Sequence, residues 1–225
     1  MQEPFLLHKA TPVATDVAKW AAADPYLSLV SAGLPLDVLP SGATNSNVSF
    51  VTNAPGPITN AAKFNSTTSQ LALANGPYQL NTSGDFCIEW WQNVNGASSI
   101  IASLWHPGTA ARCAWCTNIT PTVIGLSYNA SFSLGVTSGV SIPNNAWSHI
   151  AITRAGGNAY KYFVNGAIVY TATLATVFQT GDLPFYLGYR GEAAGLPAGG
   201  YLAGFRVTKG TPRYTAPFTP STVFY

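Results

Sequence analysis

Asp85 and Glu89, in "GDFCIEWWQ", are the only two carboxylates of the 225-residue chain that stand close together on a candidate strand. A spacing of i, i+4 along an alternating run puts both side chains on one face. A same-face pair is what hydrolysis of a glycosidic bond uses, with carboxyl groups about 5–5.5 Å apart for retention and about 6.5–9.5 Å for inversion. Asp85, however, directly follows Ser83-Gly84 at the entrance to the run, where an Asp commonly closes a turn. Glu89 is followed by Trp90-Trp91-Gln92, and no further acid occurs before Asp182. The chain is poorly supplied for acid–base hydrolysis, and no catalytic residue is assigned.

Metal chemistry is equally short of ligands. "CAWC" sets Cys113 and Cys116 at a C-x-x-C spacing, with His106 upstream and Cys87 elsewhere, but a structural zinc site needs a second pair. A redox role for the same motif needs a βαβ setting that is absent here. Two reduced cysteines in a loop, or a local disulfide, are the readings left. Calcium takes roughly six to eight oxygen ligands, several of them carboxylates, whereas Asp182 and Glu192 stand alone in their segments. The expectation is therefore no metal and no cofactor. His8 and His149 have no nucleophile at a readable spacing, and no Gly-x-Ser-x-Gly elbow occurs.

Aromatic side chains are the remaining candidates, because an exposed ring can stack on a sugar. Trp105, His106, Trp115 and Tyr189 fall in or beside expected loops and form the candidate carbohydrate contacts. With 11 Phe, 11 Tyr and 6 Trp in the chain, most rings must belong to core or interface.

The elements that would position these residues are short. Alternating runs cover 48–52, 69–73, 86–92, 99–105, 122–128, 131–136, 147–154, 159–164, 167–173, 184–190 and 201–208, separated by Gly, Pro and Asn clusters. That pattern predicts an all-β antiparallel sandwich. In "YKYFVNGAIVY", Asn165-Gly166 suits the positive φ angles of a type I′ hairpin turn. In "WSHIAITR", Ser148, Ile150, Ile152 and Arg154 share one face and Trp147, His149, Ala151 and Thr153 the other, which predicts a central strand. Thr11-Pro12 and Asp24-Pro25 bracket an Ala-rich stretch with the start and stop signals of one helix, in an N-terminal arm of residues 1–23.

Charged residues make up only 8% of the sequence and the net charge is +2, with Lys and Arg scattered singly. No basic patch supports nucleic-acid binding. The opening lacks the pattern of a secretory signal, and no apolar run approaches the roughly 18 residues that span a bilayer. Asn-x-Ser/Thr triplets at Asn47, Asn65, Asn81, Asn118 and Asn129 follow from an Asn/Ser/Thr-rich composition.

Several segments, in order, resemble a laminin G-like, concanavalin A-like jelly-roll domain: "AAKFNSTTSQLAL", "GDFCIEWWQNV", "AWSHIAITRAGGNAYKYFVNG", "FYLGYRG" and "GYLAGFRVTKGTPRYTAPFTP". The likeness is strongest to versions in tailed-phage structural proteins, which close with R-[IV]-T-K-G-x-x-R-Y-T-x-x-F-x-P, and "DPYLSLVSAGLPLDV" resembles their first strand. It spans roughly residues 24 to 220. The resemblance implies a jelly-roll domain over 24–225 whose last strand returns beside the first, with Tyr214, Phe218, Phe224 and Tyr225 covering a sheet flank or a neighbouring subunit. The tight Glu-x-Asp-x-Glu pattern of hydrolase relatives is absent, and "LAGFRV" stands where calcium-binding relatives carry acids.

Together, this resemblance, the sparse charge and the lack of a signal pattern lead to the expectation of a non-enzymatic virion structural protein. Foremost is a capsid decoration protein, assembled in the host cytoplasm. It would dock on other virion proteins through residues 1–23 and on itself as a homo-oligomer, a trimer being favoured. The alternative is a carbohydrate-binding receptor-recognition module of a tail fibre, contacting cell-surface glycans. Neither reading involves nucleic acid or membrane insertion.

Overall fold

A computed structural model describes residues 26, 29–34, 36–52, 58, 60–74, 76–80, 84–94, 99–105, 113–120, 123–127, 134–135, 142–175, 178, 184–189 and 200–221. The expected arm, residues 1–23, lies outside them, as do His106, Phe224 and Tyr225. The described residues include the 3-10 turn Gly76–Tyr78 and fifteen strands. None of their helices is long and apolar enough to cross a membrane.

The strands are β1 (Val30–Leu34), β2 (Thr44–Ser46), β3 (Val48–Val51), β4 (Ala61–Phe64), β5 (Gln70–Leu73), β6 (Phe86–Asn93), β7 (Ser99–Trp105) and β8 (Cys113–Thr120). After them come β9 (Val123–Ser127), β10 (Leu134–Gly135), β11 (Ser148–Ala155), β12 (Ala159–Val164), β13 (Ala167–Thr173), β14 (Phe185–Leu187) and β15 (Gly200–Lys209). They form two antiparallel sheets. Sheet A runs β13-β12-β11-β6-β15-β4-β3 with β1 also on β15, and sheet B runs β10-β9-β8-β7-β14-β5-β2. The all-β jelly-roll sandwich expected from the alternating runs is the fold observed.

Alternation decides which residues enter the space between the sheets. From β6, Phe86, Ile88 and Trp90 enter; from β11, Ile150 and Ile152; from β12, Tyr160 and Tyr162; from β15, Phe205 and Val207. Sheet B answers with Leu71, Ile101, Leu104, Ile124, Leu126, Phe185 and Leu187. Trp90 and Phe205 stack at 6.4 Å, and Tyr78 lies flat on Phe185 at 4.0 Å. Each such buried ring contributes roughly 1.5–3 kcal/mol.

β11 lies between β6 and β12, the central position expected for "WSHIAITR". The Asn165-Gly166 turn has φ of 50° and 79°, both left-handed as a type I′ hairpin requires. β15 pairs with β6 along one flank, while its other flank is shared by β4 (Gly200↔Phe64 to Leu202↔Ala62) and β1 (Phe205↔Leu34 to Thr208↔Val30). The last strand does return beside the first.

The chain passes from sheet B to sheet A within one residue, Asn47, whose φ is 54°. Asn45 holds the corner: its side chain accepts from the Val48 amide (2.9 Å) and donates to the Val48 carbonyl (2.8 Å). Ser69 Oγ donates to the Asn47 carbonyl at 2.8 Å. Asn and Ser side chains thus satisfy the backbone that the switch removes from the ladders.

One segment departs from expectation. Cys113–Thr120, whose "CAWC" reads as a loop in sequence, is the eight-residue strand β8, paired with β7 and β9. Neighbouring strands supply its hydrogen bonds, which overrides a weak local pattern.

Candidate functional site

The outer faces of the two sheets differ in what covers them. On sheet A the outward residues of β6 are Cys87, Glu89 and Trp91, and the segment from Thr211 to Ser221 lies across them as a strap. Tyr214 and Phe218 stack face to face, 3.6 Å between centroids and 5° from parallel. Both rings pack on Phe163, at 6.1 and 5.4 Å, and on His149, at 6.4 and 5.7 Å. Backbone bonds fix the strap further: the Phe218 amide donates to the Gly166 carbonyl (3.1 Å), Lys161 Nζ to the Thr215 carbonyl (2.5 Å) and Trp91 Nε1 to the Ser221 carbonyl (2.9 Å).

Glu89 sits beneath the strap, 3% exposed. Its Oε1 takes Arg206 Nε (2.9 Å) and Nη2 (2.8 Å) and lies 3.1 Å from Arg213 Nε. Its Oε2 accepts Tyr214 Oη–H (2.8 Å) and faces His149 Nε2 (3.2 Å). Burial alone would raise this carboxyl. The His149 hydrogen bond and the charges of Arg206, His149 and Arg213 outweigh it and hold Glu89 at about 2, below the ordinary 4.5. Burial and the Glu89 charge push the Tyr214 phenol up, and they push the wholly buried Cys87 thiol up as well.

The strap therefore explains "RVTKGTPRYTAPFTP" physically. Arg206, Arg213 and Tyr214 converge on one carboxylate, and Phe218 closes over the Asn165-Gly166 turn. A carboxylate with both oxygens occupied and no open side is a structural anchor. Asp85 serves elsewhere, in the turn role read from sequence. Its Oδ1 accepts the Gly157 amide (3.1 Å) and its carbonyl accepts the Gly210 amide (2.8 Å).

On the outer face of sheet B, β14 presents an aromatic residue that is not fully buried. With Phe185 and Leu187 turned into the core, Tyr186 points outward and is half-buried. Register places it between Ala72 of β5 and Ser103 of β7, and Thr44 of β2 lies beyond Ala72. Ala72 is too small to cover the ring. Ser103 Oγ donates to the Tyr189 carbonyl at 2.9 Å, which ties the segment after β14 down onto β7. Tyr189, half-buried, meets Tyr186 edge-on, 6.2 Å between centroids and 72° between planes. Two rings set at 72° to each other beside a small residue make an aromatic corner of the kind that can stack on one face of a sugar ring.

Of the sequence candidates, Tyr189 belongs to this corner. Trp105 ends β7, two residues beyond Ser103 and at the end of its expected run, whereas Trp115 lies within β8 instead of the loop expected for it. Their side chains, like all of His106, lie outside the described residues. Topology still sets β14, β7 and β8 side by side. Tyr186 was missed: alternation between Phe185 and Leu187 marks it as outward, but nothing in the sequence says that its neighbours across the sheet are small. Among the described residues, no three His, Cys, Asp or Glu side chains group to hold a metal ion.

The family model for the concanavalin A-like lectin/glucanases superfamily, whose fold is this two-sheet jelly roll, matches residues 65–212. The chain belongs to that superfamily. No curated protein matches it in sequence. Among solved structures it is similar to domain 4 of AbnA, a GH43 extracellular arabinanase from Geobacillus stearothermophilus, solved in complex with arabinotriose. That match has 18% identity and a TM-score of 0.59, covering 81% of this chain and 93% of that one. The binding domain of Paraclostridial Mosquitocidal Protein 1 aligns at 14% identity and TM-score 0.57, over 81% of this chain and 49% of that one. The botulinum neurotoxin serotype G binding domain aligns at 13% and 0.56, over 84% and 48%. The chain spans about half the length of these two binding domains, and at such identities the likeness is one of fold.

Proposed function

We propose that this chain is a non-enzymatic recognition module that binds carbohydrate on the outer face of sheet B. The carrying observation is the Tyr186–Tyr189 corner, half-exposed beside Ala72 and pinned by Ser103. It is supported by membership of the concanavalin A-like lectin/glucanases superfamily and by a similar fold solved with arabinotriose. The acid best placed by sequence for hydrolysis, Glu89, is sealed under the strap on the opposite face, which favours binding over chemistry.

Titration with a panel of oligosaccharides that includes arabinotriose, followed by calorimetry, tests this reading. Tyr186→Ala and Tyr189→Ala should each abolish the heat of binding while leaving the melting temperature near that of the parent protein. Binding that survives both substitutions, or reducing sugar released by the parent protein, would overturn it.

A virion surface component is the second reading, favoured by the closing "RVTKGTPRYTAPFTP", which resembles that of tailed-phage structural proteins. A sugar-binding decoration protein or fibre tip satisfies both readings. In that setting residues 1–23 would attach the domain to the particle. Deleting them should leave a folded domain that no longer attaches; wild-type occupancy of particles by the truncated protein would reject the role.

A further inference from the structure

β13 stands at one end of sheet A, and its outer edge, unpaired among the described residues, carries an unusual sequence. Among the described residues β13 pairs with β12 alone. In "AIVYTAT" there is no Lys, Arg, Asp, Glu or Pro, the residues with which natural proteins discourage edge-to-edge pairing. A register shift opposite Tyr162 and Phe163 leaves Val169 without its own partner in β12, but Tyr170 to Thr173 run regularly beyond it. Along them every second residue turns its N–H and C=O away from β12.

The hairpin that presents this edge is fixed before any partner arrives. Asn165 exchanges two hydrogen bonds with His149, its amide donating to the His149 carbonyl (2.8 Å) and its Oδ1 accepting the His149 amide (2.8 Å). The Phe218 amide bonds Gly166, and Tyr170 packs edge-on against Tyr162 at 5.6 Å. Little ordering remains for association to impose. Lys161, the charge nearest the edge on this face, is turned to the Thr215 carbonyl.

We infer that β13 is a self-association edge, on which a second copy of this chain adds its own β13 antiparallel about a two-fold axis at Thr171. An uncharged antiparallel edge is complementary to itself, and the pairing closes at two copies. In that register Thr171 meets the partner's Thr171, a favourable cross-strand pair on the outer face. Tyr170 meets the partner's Ala172, a large side chain against a small one. No like charges are brought together. Sheet A then continues from one copy into the other, leaving the Tyr186–Tyr189 corner of sheet B open on both.

Sedimentation of the full chain over a concentration series provides the test, with Thr171→Lys and Thr171→Asp as variants at an exposed position. The parent protein should dimerise. Each variant, melting as the parent does, should associate at least about fivefold more weakly, because like charges then face each other across the axis. An equimolar mixture of the two variants should recover the dimer, since the opposed residues become an ion pair. A parent protein that stays monomeric, an assembly unaffected by Thr171→Lys, or a mixture no tighter than either variant alone would overturn the inference.

Discussion

Arg206 and Arg213, one on the last strand and one on the strap that follows it, grip the same oxygen of Glu89, at 2.8 and 3.1 Å. The end of the chain is thereby tied to the middle of sheet A through a single buried carboxylate.

Replacing that carboxylate should be strongly destabilising. Glu89→Gln leaves two guanidinium groups facing a neutral amide in a dry setting, and removing one partner of such a cluster costs about 3–5 kcal/mol. Urea unfolding should report a loss of that size. Sugar binding on sheet B should be unchanged at temperatures where the variant is folded.

Acid should reveal the same anchor. Because the folded-state carboxyl of Glu89 lies at about 2 against 4.5 when unconstrained, the unfolded chain binds its proton first. The stability contributed is full above about 4.5 and is lost as pH falls toward 2. Parent protein should therefore weaken across that window, whereas Glu89→Gln should show a distinctly shallower slope. Equal slopes would contradict the assignment of Glu89 as ionised and anchored.

Lifting the strap should uncover a thiol. A Cβ added at Gly166 would lie 1.8 Å from the Phe218 carbonyl oxygen, on a backbone whose φ of 79° already disfavours other residues. Gly166→Ala should displace Phe218 and admit reagent to Cys87, which is fully buried beneath Phe163, Tyr214 and Phe218. Peptide mass spectrometry after brief alkylation should find Cys87 unlabelled in the parent and labelled in the variant.

Arg154 offers a contrasting case, buried on the inner face of β11. Its guanidinium lies over Phe86 at 4.7 Å and Phe178 at 5.6 Å, and its Nε donates to the Gly84 carbonyl at 2.9 Å, with Nη2 on the same oxygen. Lysine has neither the plane nor the fork. Arg154→Lys should cost roughly 1–3 kcal/mol despite keeping the charge, measured by chemical denaturation.

The fold was legible wherever alternation was uninterrupted. "YKYFVNGAIVY" and "WSHIAITR" carry their period, their turn and their burial in plain order, and both fold as read. β8 was not legible because "CAWCTNIT" has no clean period; its strand state comes from β7 and β9. β2 and β4 are short and their neighbours distant. The Glu89 anchor was hidden for another reason: its partners at 149, 206, 213 and 214 come together only when β11 and β15 flank β6. The Tyr186–Tyr189 corner, proposed as the sugar site, was half visible. Tyr189 could be picked as an aromatic beside a turn, whereas the openness around Tyr186 depends on Ala72, a residue of another strand.

The shared flank of β15 bears on how the chain reaches this structure. Until residues 200–209 arrive, β6 has a partner on one side only, and β1 and β4 have nothing in sheet A to connect them to it. Phe86 must wait for Lys209, and Val30 for Thr208, so the closing step joins the most distant parts of the sequence. Folding with such separations is slow. While it waits, the intermediate presents the long, apolar, unpaired border of β6 to other chains. Crowded refolding should therefore favour aggregates built on that border, and a peptide copying β15 should intercept them.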